Sequence, residues 1–298
     1  MKVALITTIE GDLRDINTLK QGYYRCYEQE AIQCFSEWRR NGGWLKDIPI
    51  YTICLTKQTI SEKTKEIFKS LNVTYIENYH SETENYKNGY WNIPLSGKYF
   101  EENLSEDVFI KTDLDMYLIK PLKEELFKLE PGYTTVGRYD EMSAKHNTNK
   151  LTFPSKYGQP WDTGFIITER KTKFFETFYD KLKQLTFEYE TGTFESKYKL
   201  HIKEHDDDFG VDYGAIEEFA ISVMNTADKV KLKEINKYNL GEFYAPIDIY
   251  SDEEVDNIYF FHEHIPYTEP GYDKIRTRID YRKRVNLIEC GINNSNRI

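Results

Sequence analysis

The stretch FIKTDLDMYLIKPL, residues 109–122, sets two carboxylates, Asp113 and Asp115, one residue apart inside an apolar, β-prone run. Carboxylates this close repel each other and lose hydration when buried. A divalent cation resolves both problems. Mg2+ or Mn2+ takes oxygen ligands, often one or two carboxylates plus substrate phosphates. In an extended chain, residues i and i+2 project to one side, so both side chains can address one ion. Calcium-loop spacing does not fit: counted from Asp113, the position that needs the turn glycine holds Leu118. In HDDDFGVDYGAIEE, Asp206, Asp208 and Glu217 match three loop positions, but Gly210 and Val211 replace the fifth ligand and the turn glycine.

The elements that position the pair follow from periodicity. Val3–Ile9 is an opening strand. Residues 17–41 carry apolar and aromatic positions at helical spacing and end at Asn41-Gly42-Gly43. Pro49–Thr56 is the next strand. Thr59, with Glu62 three residues on, predicts a capped helix to about Leu71. Val73–Ile76 is a third strand, Tyr90–Leu104 a helix despite Pro94, and Asp107–Leu118 a fourth strand. Strands alternating with helices imply right-handed crossovers and a largely parallel sheet, an α/β fold whose ligands bind at the carboxyl ends of strands. Beyond Pro121, Tyr133–Arg138 and Phe165–Thr168 read as strands, 141–161 as a polar loop, Lys171–Leu185 and Gly214–Asn225 as helices, and Asn257–His264 as the last strand. No linker interrupts the pattern, so one domain over 1–298 is expected, with a change of rhythm after residue 122.

Composition narrows the partners. The 298 residues are 39% apolar and 30% charged, with a real core implied and a formal net charge of −10, which argues against nucleic-acid binding. Tyr and Phe are abundant, 24 and 17, and such rings suit sugar-like or planar ligands. Residues 271–298 form a basic tail with seven basic and three acidic side chains, suited to a solvated helix face or to peripheral contact with an anionic membrane surface. Four cysteines without metal-site spacing, no apolar run long enough to span a bilayer and too short an opening apolar stretch for a signal peptide together predict a cytoplasmic protein.

The strand, DxD and Lys-Pro-Leu exit of FIKTDLDMYLIKPL resembles the GT-A fold glycosyltransferases, glycogenin-like enzymes and viral and bacterial relatives among them. Further motifs follow the family order over most of the chain. VALITTI resembles the first strand, whose end meets base and ribose, here Thr7, Thr8 and Ile9. NIPLSGKYFEEN resembles the helix that sends a basic residue, here Lys98, to the diphosphate. WDTGFIITER resembles the element lining the sugar pocket, with Asp162, Thr163 and Gly164. GAIEEFAISVMN resembles the helix whose acids, Glu217 and Glu218, face the acceptor. YFFHEH resembles the late strand whose histidine completes the metal site, His262 or His264, with His262 favoured. The Gly-x-x-Lys-Pro-Trp that often follows this histidine is replaced by IPYTEPGYDKIR.

The resemblance implies a single GT-A domain, Rossmann-like with a central, mostly parallel mixed sheet flanked by helices. Residues 1–122 would bind the nucleotide sugar and 123–270 would face the acceptor. It implies a hexosyltransferase-like activity: Mn2+ or Mg2+ on Asp113, Asp115 and a histidine, a nucleoside diphosphate sugar, UDP-sugar first, and a glycan or other hydroxyl acceptor. Glu217, Glu218 and Asp162 are the candidate catalytic carboxylates, acting as base in an inverting enzyme or steadying the developing cation in a retaining one. Two alternatives use the same motif: a haloacid-dehalogenase-type phosphatase with Asp113 as nucleophile, and a non-catalytic nucleotide-sugar-binding protein. The small residue pair that follows the phosphatase motif is replaced here by Met116-Tyr117.

Overall fold

The computed structural model describes residues 1–10, 27–85, 91–138, 155–158, 161–201, 213–236, 240 and 258–262. Four strands pair in parallel: β1 (Val3–Thr8), β2 (Ile50–Cys54), β3 (Val73–Glu77) and β4 (Val108–Thr112). With β6 (Tyr133–Arg138), β7 (Trp161–Glu169) and β8 (Lys231–Asn236) they form a seven-stranded sheet of order β3-β2-β1-β4-β7-β6-β8. Only β7 runs against its neighbours. The sheet is therefore mixed and mostly parallel, as the alternating pattern predicts. β5 (Met116–Leu118) and β9 (Phe260–His262) pair as a separate antiparallel ribbon.

Side-chain alternation splits the core in two. Val3, Leu5, Val108 and Ile110 pack on one face with helices α1 (Tyr27–Asn41) and α2 (Glu62–Ser70). Ala4, Ile6 and Phe109 point the other way, toward α4 (Asn92–Asn103), α5 (Phe174–Glu190), α6 (Phe194–Tyr198) and α7 (Tyr213–Thr226). A short helix, α3 (Glu82–Asn85), precedes α4. Strands buried on both faces explain why the sequence reads as continuous apolar runs there.

Several boundaries differ from expectation, each for a local reason. The cap of α2 is Ser61, not Thr59: Ser61 Oγ accepts the Thr64 N–H at 3.2 Å. Glu28 of α1, rather than Glu62, accepts the N–H of the cap residue Ser61, together with its hydroxyl. Pro94 lies in the first turn of α4, where its missing N–H has no intrahelical duty. The expected strand Asp107–Leu118 is two strands, β4 and β5, broken by a turn in which the Met116 N–H donates to the Asp113 carbonyl at 3.3 Å. Residues 17–26, most of the 141–161 loop, Asp206, Asp208, His264 and the basic tail 271–298 lie outside the described residues. Among those described, no helix is long and apolar enough to cross a membrane, and Cys34 and Cys54 are buried free thiols.

α4 is clamped to α5. A Cβ on Gly97 would fall 2.1 Å from the Phe175 ring, so the two helices approach at bare backbone. One turn on, the buried Glu101 carboxylate accepts the Phe175 and Glu176 N–H groups, both at 3.0 Å, satisfying two orphan donors at the start of α5. Burial pushes the Glu101 carboxyl up to about 7, against the two backbone donors and Lys173, which pull it down. Gly97→Ala should destabilise by about 1–3 kcal/mol in urea unfolding, because overpacking outweighs the roughly 1 kcal/mol of helix propensity gained. Since the folded Glu101 holds its proton more tightly than an unfolded glutamate, its contribution is full at low pH and is lost as pH rises from about 4.5 to about 7. Glu101→Gln should flatten that part of the stability–pH curve; an unchanged slope would refute the assignment.

Candidate functional site

β1 and β4 lie side by side in parallel, with Ile6 opposite Lys111, so their carboxyl ends meet. The Thr7 hydroxyl donates to the Thr112 carbonyl at 3.0 Å and ties the two ends together. Thr7 is therefore buried as a strand clasp. The half-buried Thr8 hydroxyl and the Ile9 N–H both turn to the Ile53 carbonyl, and the Ile9 side chain joins the core.

The aspartates stand on the turn that follows β4 and are not placed by strand alternation. Asp113 is first in the turn, its side chain 38% exposed, while Asp115 is buried at 5% exposure. The Asp113 N–H donates to the Gly164 carbonyl at 2.9 Å, which carries the β4–β7 ladder one residue past the strand. Asn41, at the end of α1, donates to the Leu118 carbonyl at 2.7 Å and secures β5 on the far side of the turn.

β7 meets the turn with a bulge. Its register against β6 jumps from Val136 opposite Ile166 to Gly137 opposite Asp162, leaving Thr163, Gly164 and Phe165 without partners on β6. Phe165 stays paired with Thr112 of β4. Bulges re-aim backbone groups beside sites, and here the Thr163 carbonyl is free to accept from β4. Asp162 accepts the Gly164 N–H at 2.7 Å. A Cβ at Gly164 would sit 3.1 Å from both Asp113 Oδ2 and Asp162 Oδ1. Glycine thus lets two carboxylates, one on the turn after β4 and one on β7, share one small space.

The cation brought against Asp113 is Lys111. Its side chain is 2% exposed, and Nζ donates to Asp113 Oδ1 and, at 2.7 Å, to the Thr163 carbonyl. Lys111 is a candidate that motif matching alone does not raise, although a lysine in an apolar strand two places before an aspartate is the signal that marks it. Lys98 lies half-buried on α4 with its ammonium 4.7 Å from the Tyr179 ring.

Glu217 and Glu218 fall in the second turn of α7. Glu217 is buried, and burial raises its carboxyl well above the ordinary range; a Thr163 side-chain hydrogen bond and the Lys111 charge work against that rise. Its Oε1 has no hydrogen-bond partner among the described residues. Glu218 is half-buried. The structure therefore gathers Asp113, Asp162, Thr163, Gly164, Glu217 and Lys111 at one edge.

His262 enters by register. β9 pairs with β5 so that His262 stands opposite Met116, next to Asp115 in the chain. Among the described residues no group of three metal-ligating side chains is present, and neither the His262 side chain nor His264 is among them. The donors that are present, two carboxylates on one turn, suit a hard oxygen-seeking cation.

No protein-family model matches the chain. No curated protein sequence matches it either. Solved structures do. The chain is similar to an active-site mutant of LgtC, at 12% identity and TM-score 0.51, over 93% of this chain and 95% of that one. It is also similar to mouse xyloside xylosyltransferase 1, apo form, at 12% identity and TM-score 0.47 over 89% and 98%. A third similar structure is the glycosyltransferase GlyE of Streptococcus pneumoniae TIGR4, at 15% identity and TM-score 0.42 over 79% of this chain. The chain spans only 46% of the GlyE chain. The LgtC match carries the fold conclusion: this chain has a GT-A-type glycosyltransferase fold.

Gly164→Ala tests the shared space between the carboxylates. The added methyl must displace Asp113 or Asp162, and denaturant unfolding should register a loss of about 1–3 kcal/mol. A variant as stable as wild type would mean that the two carboxylates are not held together.

Proposed function

We propose that this chain is a metal-dependent glycosyltransferase, hexosyltransferase-like, that moves a sugar from a nucleoside diphosphate sugar, UDP-sugar first, to a hydroxyl on a glycan or similar acceptor. One observation carries the reading. The Asp113–Asp115 turn closes the carboxyl end of β4 beside the end of β1, and the Thr163–Phe165 bulge of β7 faces it. Ligands of open α/β sheets bind at such an edge. The fold match favours this reading over the phosphatase.

Asp113 and Asp115, with His262 or His264, would hold Mn2+ or Mg2+. Such an ion supplies positive charge where the departing diphosphate becomes more negative. Thr8 and the backbone at Ile9, at the end of β1, would receive base and ribose. Thr163 and Gly164 would line the sugar, with Gly164 permitting close approach. Lys98 would reach the phosphates only by leaving the Tyr179 ring. As the acceptor hydroxyl attacks the anomeric carbon, the bond to the diphosphate breaks and the hydroxyl proton passes to a carboxylate in an inverting reaction. The half-buried Asp162 and Glu218 suit that role or, in a retaining reaction, orientation of the sugar. Glu217, buried next to Thr163, would act through it.

Calorimetric titration with UDP and GDP, with and without Mn2+, tests the reading. Binding should require Mn2+, should weaken as acid protonates the carboxylate ligands, and should vanish in Asp115→Ala. Absence of metal-dependent binding of any nucleotide would overturn it. A panel of nucleotide sugars, scored for slow hydrolysis, identifies the donor and separates a transferase from a non-catalytic binder.

A further inference from the structure

We infer that Lys111 is a positioning residue of the donor site: by holding Asp113 Oδ1 and the Thr163 carbonyl together, it fixes the metal-binding turn against the sugar-facing bulge. The inference rests on the donor-site reading above. Its starting point is a cost. Lys111 occupies an inward position on β4, on the same face as Phe109, where an apolar side chain would pack without penalty. Burying an ammonium costs several kcal/mol unless close partners compensate, so the partners identify what the lysine holds.

Those partners come from two elements. One is the aspartate turn after β4; the other is the β7 bulge. Lys111 adds a side-chain link between them to the Asp113 N–H to Gly164 carbonyl bond. With Oδ1 occupied, Asp113 keeps Oδ2 on the side of the Gly164 backbone and the Asp162 carboxylate. The lysine thereby chooses which oxygen remains for a ligand. An ammonium can make these two bonds from inside the core because it is compact, whereas a guanidinium needs a planar fork. The buried Glu217 lies close to Thr163 and to the Lys111 charge.

Lys111→Met keeps the stem length and the packing while removing the charge. UDP would be titrated, in saturating Mn2+, into wild type, Lys111→Met, Asp113→Asn and the double variant. Partners behind metal ligands typically carry about 10- to 100-fold in affinity, and Lys111→Met should weaken UDP binding by that factor. Because Lys111 acts through Asp113, the double variant should bind no more weakly than Asp113→Asn alone, a non-additivity that general destabilisation does not produce. Hydrogen exchange of the peptide over residues 161–166, without ligand, should quicken in Lys111→Met while the β1–β2 ladder is unchanged. If Lys111→Met does not fold, Lys111→Gln serves the same comparison, since its amide N–H also lacks the charge. Affinity within twofold of wild type, or additive losses in the cycle, would overturn the inference. If wild type itself binds no UDP with Mn2+, the donor-site reading fails, and unaltered exchange over 161–166 would then overturn the positioning role as well.

Discussion

A lysine that is 2% exposed must be neutralised where it stands, and that requirement organises the carboxyl edge of this sheet. Its ammonium cannot reach water, so a carboxylate and a carbonyl must be delivered to it. The carboxylate arrives because β4 stops at Thr112 and the chain turns at once. The carbonyl arrives because β7 bulges over Thr163–Phe165 while keeping its ladder with β4.

The turn is held from behind as well. Asp115 is buried on the α1 side, near enough to Cys34 that its charge, secondary to burial, helps push that thiol up. β5 leaves the main sheet to pair with β9, and Asn41 ties its end to α1. The two aspartates therefore have different surroundings: Asp113 is held from the β7 side through Lys111, while Asp115 lies buried near Cys34 of α1. A site built this way keeps its spacing only while both layers are packed, which gives the α4–α5 clamp at Gly97 and Glu101 a bearing on the site beyond its own stability.

Much of this was legible in the sequence. Parallel strands buried on both faces read as apolar runs, as β1 and β2 do, while the partly exposed β3 is marked by its β-branched and aromatic residues; all three lie close to their expected bounds. The DxD and TG segments were found because polar residues interrupt such runs. What was not legible depends on contacts distant in sequence. The exchange of Thr59 for Ser61 as helix cap turns on Glu28 of another helix. The break between β4 and β5 turns on β9, some 140 residues later. Lys111 was visible as a residue, but its role required the bulge, and no periodicity announces a three-residue bulge.

The same geometry separates the three candidate carboxylates by depth. Glu217 is buried next to Thr163, and the charge that would make it useful to a substrate is the charge that burial opposes. Asp162 and Glu218 are half-buried, so they can meet a ligand without full loss of hydration. Asp162 is further constrained, because one oxygen already accepts the Gly164 N–H and that bond orients the carboxylate along the bulge. Asp113 and Asp162 lie outermost, with Thr163, Lys111 and Glu217 buried beneath them. The outermost pair is the most open to solvent, and the inner layers set how precisely it is held.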